Sequence, residues 1–183
     1  MPWGLTRFHH SGQSHFVTFC CYHRRRLLST DASCRIFESA LERVRRSYRD
    51  YVYGYVVMPE HVHLLLSEAQ RDTLADALKS LKQGVSRRLI GDGDHFWQKR
   101  YYDVNIRNYP QFVEKLRYIH RNPVKCGLCD RPEDWEWSSF RHYASGAEGR
   151  VEIGSKWTAR KRERAAGRLC PDVGLPHSSQ NRA

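Results

Sequence analysis

Two histidines one residue apart, His61 and His63, lie in the run Val56-Val57-Met58-Pro59-Glu60-His61-Val62-His63-Leu64-Leu65-Leu66. The flanks are β-branched and apolar, which predicts strand, turn, strand. Residues i and i+2 of a strand point to the same face. Val62, Leu64 and Leu66 then take the opposite face and pack into a core. Two imidazoles aimed side by side are half of a divalent-metal site, although a solvated or hydrogen-bonded pair is the plainer reading of His-x-His alone. A second candidate lies downstream. Tyr109, Phe112, Val113, Leu116 and Ile119 form an apolar stripe on a helix expected from Pro110 to about Arg121. At about 100° per residue, Tyr118 falls roughly 150° from the centre of that stripe. Asn122 follows one turn later on the same side. Tyr118 is therefore a tyrosine that the local core does not claim, though a surface tyrosine needs no further role. A phenol has a pKa near 10 and is a weak nucleophile until activated. A divalent cation polarises a phosphodiester and stabilises charge in its transition state. Together the residues suit one chemistry, attack of Tyr118 on phosphorus to hold a DNA end covalently. The phosphoester is kept for a second transfer, so no nucleotide cofactor is needed.

The elements that must position these groups can be read in order. His15 to Cys21 is β-rich and forms a first strand, followed by the basic loop Arg24-Arg25-Arg26. Ile36, Phe37, Ala40, Leu41, Val44 and Tyr48 fall at helical spacing and predict a helix over 31–49, capped by Thr30 or Asp31. Strands follow over 51–58 and 61–67, with Met58-Pro59-Glu60 as the turn. Leu74, Ala77, Leu78, Leu81, Val85 and Leu89 define a second helix, whose other face carries Lys79, Lys82, Arg87 and Arg88. A fourth strand runs over 101–107. Pro110 then opens the third helix, and Pro123 is expected to stop it. The order β-α-β-β-α-β with a central hairpin predicts an α+β fold, a ferredoxin-like antiparallel sheet with helices. In that topology the third strand is central, and a helix after the fourth strand can cross the open sheet face.

The chain has 183 residues, a net charge of +11 and a pI near 9.6. This suggests one domain over residues 1–145, then a basic, partly disordered tail over 146–183. Excess positive charge favours a polyanionic partner. Five Trp, ten Tyr and seven Phe mixed with 31 Lys and Arg lean toward single-stranded nucleic acid, where bases stack on rings and phosphates meet cations. No run approaches the roughly 20 apolar residues of a membrane helix. The first residues lack the pattern of a signal peptide, so a cytoplasmic location is expected. The six cysteines have no framework spacing and read as reduced thiols; Cys126-Gly-Leu-Cys129 is half a zinc knuckle without its second half.

Three segments carry a resemblance: Met58 to Leu65, Phe96-Trp97-Gln98-Lys99-Arg100-Tyr101-Tyr102, and Tyr118-Ile119-His120-Arg121-Asn122-Pro123-Val124-Lys125. They resemble the single-tyrosine HUH transposases, and most closely their REP-associated branch. Trp135-Glu136-Trp137-Ser138-Ser139-Phe140 is similar to that branch's segment after the catalytic helix. The resemblance implies the HUH endonuclease type of fold and a nuclease and strand transferase acting on single-stranded DNA hairpins. It implies Mg²⁺ or Mn²⁺ on His61 and His63, with Asn122 as amide ligand, and Tyr118 as the nucleophile of a 5′-phosphotyrosine intermediate. Many relatives have Gln at the amide position. Asn122 is one methylene shorter, so direct ligation and a bridging water both stay open.

Glu60 is a candidate to orient a histidine ring, or is simply a turn residue. Arg24, Arg25, Arg26, Lys79, Lys82, Arg87, Arg88, Asn105 and Arg107 are candidate DNA contacts, with a solvated surface as the alternative for each. His120 is expected to be structural. A monomer is expected over a homodimer. Two other functions fit the composition: a domesticated protein that grips structured nucleic acid without cutting it, and a replication-initiator-like nickase. The short chain and the absence of a G-x-x-x-x-G-K-[ST] loop disfavour the nickase.

Overall fold

The computed structural model describes residues 14–91 and 95–169. Four strands, β1 (Ser14–Cys20), β2 (Val52–Val57), β3 (His61–Leu66) and β4 (Tyr102–Ile106), form one sheet in the order β2-β3-β1-β4. All three pairings are antiparallel. The expected ferredoxin-like topology is present, with β1 and β3 in the centre.

Strand alternation divides the sheet into two faces. One carries Val17, Phe19, Val62 and Leu64, which pack with the apolar sides of α1 (Asp31–Tyr48) and α2 (Leu74–Leu89) in the main core. Thr30 caps α1 with its side chain on the Ser33 amide, and Thr73 caps α2 on the Asp76 amide. The other face carries Phe16, Val56 and Leu65, which form a smaller core with Met58, Ile106 and Ile119. Ile119 comes from α3 (Tyr109–Lys125), which crosses this second face.

Two expectations are corrected. α3 does not stop before Pro123 but runs through it to Lys125. A proline in a helix lacks one N–H donor, yet the ladder resumes at once, because the Cys126 amide donates to the Asn122 carbonyl. The helix ends at Gly127, whose φ of +68° turns the chain away.

The second correction concerns residues 146–153, assigned from composition to the tail. Val151 and Ile153 are buried in the main core, and Ile153 bridges to Val52 on β2. The chain also reaches β2 through Ser138, which bridges to Val56. Trp135 and Trp137 pin this segment, the indole donating to the Val57 carbonyl and the Trp137 carbonyl accepting from the Val57 amide. A short helix α4 (Phe140–Ser145) and a basic helix α5 (Lys156–Leu169) complete the described chain. The rest of the expected tail, residues 170–183, lies outside the described residues. Among the described residues no helix is long and apolar enough to cross a membrane.

Candidate active site

His61, His63 and Leu65 share the β3 face that looks toward α3. His63 is flanked in register by Thr18 on β1 and Val56 on β2, and His61 by Cys20. Both imidazoles are buried, and their Nε2 atoms lie 3.1 Å apart. Their outer nitrogens are held separately. His63 Nδ1 lies 2.6 Å from Thr18 Oγ1, and His61 Nδ1 lies 2.9 Å from Glu60 Oε1. With each Nδ1–H donated to its oxygen, the two Nε2 atoms present lone pairs to the same point. Burial supports the neutral form. It pushes His63 down to about 3, helped by the neighbouring His61 and Arg24 charges. Burial also lowers His61, against the upward pull of Glu60. Neutral imidazoles with converging lone pairs are the state a cation requires.

α3 brings the other two groups. It lies close to the sheet because β2 carries Gly54, where a Cβ would sit 2.6 Å from Leu116 Cδ1. Asn122 is buried, with its amide nitrogen 3.0 Å from His63 Nε2. Rotating that amide by half a turn would put its carbonyl oxygen in the same place. Tyr118 stands at the rim, 39% exposed, with its ring centroid 5.2 Å from His63 and 5.9 Å from Phe16. Lys125 reaches back so that its ammonium lies 5.6 Å from the Tyr118 ring centroid. The phenol is therefore beside the histidines, at the edge of the packed side of α3 rather than on its far side.

The donor set is two imidazoles and one amide; among the described residues no three His, Cys, Asp or Glu converge on a cation position. Few protein donors of nitrogen and oxygen type suit a hard or borderline divalent ion that keeps positions open for phosphate and water. Two cavities of about 520 and 530 Å³ lie elsewhere, against α1 and residues 135–164, and neither is lined by His61, His63 or Tyr118. Tyr118 is the exposed member of the group, and His61, His63 and Asn122 are buried behind it.

The remaining candidates separate by sheet face. Arg24 lies near enough to act on both histidines electrostatically, and Arg25 and Arg26 are exposed in the same loop. His23 and Arg24 both have positive φ, so this turn holds an unusual backbone shape beside the site. Lys79, Lys82, Arg87 and Arg88 belong to α2, in the layer on the opposite sheet face. Lys82 is engaged structurally, donating to the Gln98 carbonyl at 2.8 Å. Asn105 pairs in register with His15, so it also faces away from His61 and His63. Arg107 is exposed just past β4, its backbone amide held by Gln111. His120 is buried, 2.9 Å from Ser139 Oγ, and burial lowers it to about 4, in keeping with a structural part. Thr18, Lys125 and Cys126 are the site neighbours that the sequence did not disclose. Thr18 needed the β1–β3 register, and the other two needed a helix that passes Pro123.

A paired-histidine strand beneath a tyrosine-bearing helix, on a sheet of this topology, defines the class of single-tyrosine transposases. Residues 9–122 match the family described as IS200-like transposase, and the chain belongs to that family. An Escherichia coli K12 REP-associated tyrosine transposase is 27% identical over 136 residues, covering 73% of this chain and 80% of its own. A Haemophilus influenzae protein, provisionally named in the same way, is 28% identical over 142 residues, covering 70% of this chain and 80% of its own. A solved REP-associated tyrosine transposase bound to a REP hairpin superposes with a TM-score of 0.69 at 26% identity, covering 83% of this chain and 92% of that one. The resemblance to the REP-associated branch is thus borne out.

Proposed function

We propose that this transposase cleaves and rejoins single-stranded hairpin DNA through a 5′-phosphotyrosine on Tyr118. The observation that carries the reading is that His61 Nε2 and the Asn122 amide nitrogen lie 3.1 and 3.0 Å from His63 Nε2, whose ring stands beside that of Tyr118. The hairpin substrate is carried over from the related structure, which holds a REP hairpin. His61, His63 and Asn122 would hold Mg²⁺ or Mn²⁺. When bound, the ion polarises the scissile phosphodiester and offsets its charge. Glu60 and Thr18 keep the two rings in the ligating tautomer. Tyr118 Oη forms a bond to phosphorus as the bond from phosphorus to the 3′ oxygen breaks. The phenol proton passes to solvent, and the departing oxygen takes one up as a free 3′-hydroxyl. Attack by another 3′-hydroxyl reverses the step and frees Tyr118, so no nucleotide cofactor is consumed. Arg24, which acts electrostatically on both histidines, would meet phosphates approaching them, with Arg25 and Arg26 beside it. We further propose that the protein acts as a monomer in the cytoplasm.

The test is a denaturing gel with end-labelled hairpins from the gene's own flanks, in Mg²⁺, Mn²⁺ or EDTA. A covalent band is expected with metal and is lost in EDTA and in Tyr118→Phe, while hairpin affinity changes little. A covalent band surviving in Tyr118→Phe would assign the nucleophile elsewhere. A shifted native band with no covalent product under any condition would favour a non-cutting binding protein.

A further inference from the structure

We propose that Cys126 is a positioning residue for the metal centre, holding the Asn122 amide in either of two orientations. The proposal rests on reading His61, His63 and Asn122 as that centre. Cys126 lies one turn beyond Asn122, and its Sγ is 3.4 Å from Asn122 Oδ1. Its backbone amide also donates to the Asn122 carbonyl, at 2.9 Å. The backbone bond is the last ordinary turn of the helix; the thiol contact is the one that reaches the side-chain amide. The thiol's place is fixed by the end of α3, where Gly127 turns at positive φ and the Leu128 amide donates to the Pro123 carbonyl at 2.9 Å.

Asn122 needs such a partner. Its far side is set by His63, whose Nε2 accepts from the amide nitrogen. In that orientation the thiol donates S–H to Oδ1. A cation on the histidines calls for the opposite orientation, with Oδ1 turned toward it and the NH₂ turned outward. The sulfur then accepts from that NH₂. A thiol is both a weak donor and a weak acceptor, so Cys126 satisfies the amide in both states. An amide with no partner on its outer side would leave a buried polar group unpaired in one of them. Cys21 and Cys34 are buried thiols, each pushed up to about 12 by burial.

The experiment is Mn²⁺ titration of the full chain without DNA, followed by the electron paramagnetic resonance signal of free Mn²⁺. Three variants accompany it: Cys126→Ser, Cys126→Val and His61→Ala. Cys126 is exposed, so neither substitution should disturb folding, which a thermal melt checks. Loss of a residue that orients a ligand costs about 10- to 100-fold in metal affinity, and Cys126→Val is expected at the low end, about tenfold. Cys126→Ser keeps a group that donates and accepts, and its affinity is expected within about twofold of the parent. Parental affinity in Cys126→Val would overturn the proposal. So would equal losses in Ser and Val, which would mark a purely steric role. If His61→Ala bound Mn²⁺ as the parent does, or the parent bound none, the reading of the centre would fall and this inference with it.

Discussion

Glu60 sits in the turn between β2 and β3, where a solvated carboxylate would be unremarked, yet it accepts from His61 Nδ1–H at 2.9 Å. Such an oxygen fixes the ring and raises its basicity as a ligand. Glu60→Gln keeps the shape and removes the charge. Mn²⁺ affinity is expected to fall about tenfold, read by calorimetry on the full chain; an unchanged affinity would reduce Glu60 to a turn residue. At this scale the sequence disclosed much, and for a specific reason. The spacing of His61 and His63 and of Tyr118 and Asn122 is local, so one strand period and one helical turn suffice to group them. Thr18 could not be found that way, because its place beside His63 depends on a strand pairing 45 residues apart in sequence. The face of Asn105 could not be read for the same cause: a polar residue on a strand has a face only once its register is known.

Gly54 decides how closely α3 lies on the sheet. A methyl group there would meet Leu116 Cδ1 at 2.6 Å and Ser139 Oγ at 3.4 Å. Gly54→Ala is expected to lower stability by about 1–3 kcal/mol, measured by chemical denaturation. Leu116→Ala added to it should recover part of the loss, since the two atoms then no longer compete for one space. A Gly54→Ala protein as stable as its parent would show that α3 shifts freely. The strands and α1 and α2 were legible because their apolar periods are long and their caps lie where expected. The end of α3 was not. Proline weighs against a helix locally, whereas Ile119, Asn122 and Pro123 are all buried, and that packing outweighs one missing hydrogen bond.

Across the whole molecule, the net charge of +11 includes cations well away from the site. Lys79, Arg87 and Arg88 lie in the layer behind the sheet, so the overall charge signalled a polyanionic partner without locating it. Stability across pH has its own source. Asp50 follows the C-terminus of α1, is buried, and has one carboxylate oxygen without a partner. Burial raises it from 3.8 to about 7, with Arg45 opposing. The folded chain therefore keeps a proton that the unfolded chain gives up. Folding stability from this group is highest below about pH 4 and falls as pH rises toward about 7. Asp50→Asn should remove that part of the slope, visible as a growing difference between variant and parent in denaturation curves from pH 4 to 7. Parallel curves would mean that Asp50 is solvated in the folded state.

The two bridges from Ser138 and Ile153 onto β2 bear on how the protein is made. β2 is an edge strand, and an edge offers unpaired N–H and C=O groups to any passing strand. Synthesis proceeds from the N-terminus, so the sheet can assemble before its own cover has left the ribosome. Until residues 138–153 emerge, that edge is open to pairing with a neighbouring chain on the same polysome.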